Sequence, residues 1–104
     1  DPAAAAGRLA PYTFHIHAKD FFRRSRDRVS PGEGWFRARN GEYLRGTIVG
    51  HGDVPVGTCL WLMKENGYNG AVSIEFEGCE DNLYALRVGL ANMRRFAETA
   101  EKKG

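Results

Sequence analysis

Two short segments constrain this chain more than any other feature. Residues 12–18 (YTFHIHA) and 71–76 (AVSIEF) alternate apolar with polar side chains and are rich in β-branched and aromatic types, the pattern of half-buried strands. In the first, Tyr12, Phe14 and Ile16 share one face while Thr13, His15 and His17 share the other. In the second, Val72, Ile74 and Phe76 oppose Ser73, Glu75 and Glu77. A helix-coded stretch lies between them and another follows. Strands that alternate with helices pack as parallel βα units, each strand presenting its apolar face to the helix layer. The faces bearing His15, His17 and Glu75 are then left over for chemistry.

The helices are marked by their ends. Asp1 reads as the N-cap of a short alanine-rich helix with Pro2 at its first position, ended by Pro11. After the glycine-rich turn 48–54, Asp53 is expected to cap a helix over 55–66, with Val56, Cys59, Leu60 and Met63 as its apolar stripe. Asn66-Gly67 stops it. Asp81 or Asn82 opens a long final helix to about residue 101, in which Leu83, Leu86, Leu90, Met93 and Phe96-Ala97 recur at helical spacing. Residues 20–47 hold the turn signals Ser30-Pro31-Gly32-Glu33-Gly34 and Asn40-Gly41 and read as a long loop insertion. Its aromatics, Phe21, Phe22, Trp35, Phe36 and Tyr43, require that it pack on something.

Composition bounds the function class. At 104 residues, 42% hydrophobic and 27% charged, the chain can bury one core, and no apolar run approaches membrane-spanning length. Two cysteines, Cys59 and Cys79, form neither a CxxC pair nor a disulfide framework, which suits a reducing, cytoplasmic setting. A net charge of +2 does not by itself point to nucleic acid. The charge is uneven, however: Lys19, Arg23, Arg24, Arg26, Arg28, Arg37, Arg39 and Arg45 are opposed by Asp20, Asp27, Glu33 and Glu42 alone. Such a segment suits a phosphate or a carboxylate, or is simply a solvated loop. The opening residues do not read as a signal peptide, and with no initiator Met the sequence reads as part of something longer.

His15, His17 and Glu75 fall near the carboxyl ends of their strands, where parallel α/β folds place their sites. Histidine with glutamate suits Mn²⁺, Mg²⁺, Co²⁺ or Zn²⁺. Two such residues do not complete a site, and interior histidines are also held by ordinary hydrogen bonds. Glu77 reads as a carboxylate at the strand's mouth, His51 as a loop histidine between glycines, and Cys59 as core. Ser73 has no adjacent base in sequence, and no evident base activates Cys79.

The run His15-Ile16-His17-Ala18-Lys19-Asp20 resembles the HxHxKD strand of the sugar phosphate isomerase/epimerase family, which are xylose isomerase-like (β/α)₈ TIM barrels. Gly50-His51-Gly52-Asp53-Val54-Pro55, Gly67-Tyr68-Asn69-Gly70 and Val72-Ser73-Ile74-Glu75 are similar to that family's subsequent turn, helix end and eighth strand, in order. The last helix, with Asn82-Leu83-Tyr84-Ala85-Leu86, also resembles the family's. The resemblance implies an α/β fold: a partial TIM barrel holding the last two βα units, strands 7 and 8, with residues 1–104 a C-terminal fragment of one domain. It implies a divalent metal held in part by His17 and Glu75, with Glu75 also the acid/base that moves a proton beside a carbonyl. His15, Lys19, Arg23 and Arg24 are candidates to hold a sugar or polyol substrate. Asn69 stands where the family has Asp, and residues 23–45 exceed the usual loop. The related endonuclease IV-type phosphodiester hydrolases share the barrel, but no D-x-H pair follows His17. A third reading is a non-catalytic fragment. Two strands leave unpaired edges, which call for a homo-oligomer or for the missing N-terminal part of the barrel, and the isolated chain is expected to be inactive.

Overall fold

The computed structural model describes residues 1–10 and 15–103, with side chains to residue 99. The elements in order are α1 (Pro2–Leu9), β1 (His15–Ala18), β2 (Asp20–Arg24), β3 (Phe36–Arg37), β4 (Tyr43–Thr47), α2 (Val56–Glu65), β5 (Ala71–Ile74) and α3 (Asn82–Lys103). Pro11, Tyr12, Thr13 and Phe14 of the expected first strand lie outside the described residues.

The parallel expectation holds. β1 and β5 pair in parallel, with His15 opposite Ala71, His17 opposite Ser73 and Ala18 opposite Ile74. The Glu75 N–H extends the ladder to the Ala18 carbonyl at 2.9 Å. The even-numbered side chains of both strands turn toward the helices. Ala18 joins Val49, Val56, Leu60 and Met93 in one buried cluster, flanked by Val72, Ile74 and Phe96. Ile16 and Val72 border a second cluster of Ala10, Met63 and Tyr68. The chain is thus mixed α/β, with a two-stranded parallel sheet under helices and a separate antiparallel sheet.

Caps explain where the helices begin and end. Asp1 Oδ1 accepts from the Ala3 N–H at 3.1 Å, as an N-cap carboxylate does. Asp81 does the same for α3, accepting from the Tyr84 N–H at 2.9 Å. At the end of α2, Gly67 sits at φ +95. Its N–H donates to the Lys64 carbonyl and that of Tyr68 to the Met63 carbonyl, at 3.1 and 2.9 Å. This is a Schellman stop, sealed by the buried pair Met63 and Tyr68.

Three expectations are corrected. Asp53 does not cap α2: Pro55 holds that position without a side-chain bond, and Asp53 Oδ2 instead accepts from the Arg23 N–H at 2.6 Å. Residues 20–47 are not one long loop but a three-stranded antiparallel sheet in the order β2-β4-β3. Phe22 lies opposite Arg45, Arg24 opposite Tyr43, and Phe36 opposite Leu44. Aromatic and arginine side chains supply both faces, and turns at Gly32, Gly34 and Gly41, all at positive φ, supply the reversals. Finally, α3 does not bury its leucines. Leu83, Leu86 and Leu90 are 80%, 42% and 43% exposed, while Ala85, Gly89, Asn92 and Met93 are buried. Gly89 lets the helix approach Val49 and Ile74 closely, and the Asn92 side chain donates to the Val49 carbonyl at 2.8 Å.

The two sheets meet at glycines. Gly46 of β4 bridges Gly78, just beyond β5, in parallel fashion. A side chain at Gly46 would run into the Glu77 carbonyl. The antiparallel sheet is thereby fixed at the carboxyl end of the parallel pair, beside the residues expected to do chemistry.

Candidate functional site

The odd-numbered side chains of β1 and β5 share the polar face, and in register they meet as a ladder. His15 Nε2 and Ser73 Oγ are 2.7 Å apart, and His17 Nδ1 and Glu75 Oε1 2.8 Å. Lys19 Nζ and Glu77 Oε1 are 2.9 Å apart. Each pair is separated by the same 58 residues, because parallel strands repeat one offset along their length. Each side chain reaches past the residue directly opposite to the next one toward the carboxyl end. The His15 and His17 rings stack at 4.6 Å.

The His17–Glu75 pair is open to solvent, with side-chain exposures of 57% and 47%. With Glu75 ionised, Nδ1 of His17 is the hydrogen donor. The lone pair of the neutral ring then sits on Nε2, the usual state of a histidine that serves as base or ligand. Histidine and glutamate are donor types that divalent cations accept, but the 2.8 Å Nδ1–Oε1 contact is a hydrogen bond, which an ion shared by those two atoms would have to replace. Among the described residues no group of three or more His, Cys, Asp or Glu converges as a metal site. Further donors would have to come from elsewhere.

The expected substrate ligands fare differently. His15 lies on the same face, held by Ser73, so Ser73 has a histidine partner that sequence proximity did not show. Lys19 bonds Glu77 and lies 5.5 Å from the Phe21 ring centre. Arg23 is taken up by Glu42 in a two-pronged contact, Nε to Oε2 at 3.0 Å and Nη2 to Oε1 at 2.8 Å. That contact raises the Arg23 pKa and holds the Glu42 carboxyl below its usual range. Arg24 lies over Trp35. His51 is exposed in its turn, as its glycine neighbours suggest. Burial pushes the Cys59 thiol up, which keeps it protonated and unreactive.

Asp20 reads in the sequence only as an acid among basic residues and as the last residue of the HxHxKD-like run, with no role. It is fully buried, and its carboxylate accepts from four backbone N–H groups. Oδ1 takes those of Phe21 and Val54 at 2.9 and 3.1 Å, and Oδ2 those of Gly50 and Gly52, both at 2.9 Å. The turn that links β4 to α2 is wrapped around this one side chain. Glu80 was missed altogether. Desolvation pushes its carboxyl up, but the Thr47 hydroxyl at 2.5 Å, backbone N–H groups and the Arg45 charge outweigh this and lower it. A half-open cleft of about 220 Å³ between β1 and α2 is lined mainly by apolar side chains such as Ile16, Ala18, Leu60 and Met63, and also by His17 and Lys19; among the described residues no carboxylate lines it.

Comparison with protein-family models, curated proteins and solved structures yields no match to this chain. Among the described residues no helix is long and apolar enough to cross a membrane.

Proposed function

We propose that His17 and Glu75 are half of a divalent-metal site in a sugar isomerase or epimerase barrel, with β1 and β5 as its seventh and eighth strands. The observation that carries this reading is the meeting of His17 and Glu75 at 2.8 Å on a solvent-facing polar face, at the carboxyl ends of adjacent parallel strands. The metal, when bound, polarises the substrate's oxygens. Glu75 takes the proton from the carbon beside the carbonyl and returns it, to the neighbouring atom or the opposite face. His17 would hold the metal together with Glu75, the hydrogen bond between them giving way to the ion, and His15, fixed by Ser73, offers a hydrogen bond to a substrate hydroxyl. The remaining ligands and strands belong to parts of the barrel not in this sequence, so the chain alone is expected to show no turnover.

Calorimetric titration of Mn²⁺ into the chain, and into Glu75→Ala and His17→Ala, tests the reading. Weak saturable binding that both variants abolish supports it. A folded chain that takes up no Mn²⁺, or binding that both variants retain, removes the half-site.

A further inference from the structure

The antiparallel sheet has two unlike faces. On one, Phe21 meets Phe36 edge to face at 6.0 Å, and Arg23 is neutralised by Glu42. On the other, strand alternation collects Phe22, Arg24, Arg37, Tyr43 and Arg45, with Trp35 just before β3. There the arginines lie on rings. The Arg45 guanidinium is 4.9 Å from the Phe22 ring centre and 5.7 Å from that of Trp35. Arg24 is 5.3 Å from Trp35, and Arg37 is 5.5 Å from Tyr43.

Among the described residues none of these three arginines forms an ion pair with a carboxylate. Glu80 feels the Arg45 charge without pairing with it: Oε2 accepts from the Thr47 hydroxyl, and Oε1 is buried with no hydrogen-bond partner among the described residues. A guanidinium carries five N–H donors. Arg24 gives one to the Arg23 carbonyl at 2.8 Å, and Arg37 gives Nε–H to the Gly41 carbonyl at 3.4 Å. Arg45 Nε is buried and meets no acceptor. Stacking on a ring fixes the plane of a guanidinium while leaving its edge donors for an oxyanion, which lowers the ordering cost of binding one.

We propose that this face binds the phosphate group of a small molecule, through Arg24, Arg37 and Arg45. Two observations favour a small molecule over a nucleic-acid strand. Trp35 and Tyr43 are already occupied by guanidinium groups, so they are not free platforms for bases. The same segment carries Asp27 and Glu33, which a long phosphate backbone would have to pass. The inference does not depend on the metal reading.

The test is a titration of inorganic phosphate and glycerol 3-phosphate into the full chain, followed by the arginine Nε–H resonances in a ¹⁵N spectrum. Both ligands should shift Arg24 and Arg45 saturably. Arg24→Gln and Arg45→Lys should each weaken binding about tenfold or more, since each loses a charge-assisted donor geometry. The exposed Arg28→Gln should stay within about twofold, as expected for a surface charge without a specific contact. A well-dispersed spectrum that neither ligand moves overturns the proposal. So does equal weakening by Arg28→Gln, which would mean diffuse attraction only. Tight binding of an oligothymidylate that glycerol 3-phosphate does not compete away would assign the face to nucleic acid instead.

Discussion

At the scale of single residues, two carboxylates do unlike work. Asp20 satisfies four buried N–H groups, and each such donor left unpaired costs about 1 kcal/mol or more. Asp20→Ala is therefore expected to lose about 3 kcal/mol or more in urea unfolding. Asp20→Asn should lose less, since it keeps one acceptor oxygen. A loss under about 1 kcal/mol in Asp20→Ala would contradict this account of the turn. Glu42 acts at the surface, and its effect is read through pH. Arg23 holds its carboxyl below the ordinary value of 4.5, so the folded state binds fewer protons than the unfolded one in that range. The stability it lends is present above pH 4.5 and is lost as pH falls through the lowered folded value. Glu42→Gln should flatten this part of the acid limb of a stability–pH curve, and an unchanged limb would assign the acid sensitivity to other groups.

At the scale of elements, glycine positions set boundaries. Gly67, at φ +95, has open space where a Cβ would stand, so Gly67→Ala meets no clash and its cost is that of the backbone conformation alone. The expected cost is about 1 kcal/mol, read as a lower urea midpoint with an unchanged slope. What the sequence makes legible at this scale follows from local period. The two-residue repeat of 12–18 and 71–76 marks both strands and the polar face that carries His17 and Glu75, and the helix between them implies the parallel pairing. The same logic is obscured in 20–24 (DFFRR) and 43–47 (YLRGT), where like residues fall next to each other, both faces are mixed, and glycine turns lie nearby; the stacking that makes those arginines good strand residues is visible only across strands. In α3 the expected stripe holds at Met93, Phe96 and Ala97, which pack on the core, but fails in the first half of the helix for a related reason. Its leucines dominate any periodicity, yet Ala85 and Gly89 make the close contact because small side chains let the helix approach the sheet. The role of Asp20 escapes because three of its partners lie 30 to 34 residues downstream.

At the scale of the whole molecule, the fold is open on one side. Among the described residues β5 pairs with β1 alone, and Leu83, Leu86 and Leu90 form an outward apolar stripe on the helix above it. Sedimentation velocity over a range of concentrations should show self-association, reduced in Leu86→Gln/Leu90→Gln; one monomeric species at every concentration would contradict this. The Asp20 carboxylate has a consequence of another kind. It ties the start of β2 to a turn formed much later in the chain, so the amides of Gly50, Gly52 and Val54 share one lock. Their hydrogens should exchange with solvent as a single cooperative unit, with one opening free energy, and in Asp20→Asn all three should quicken together rather than one by one.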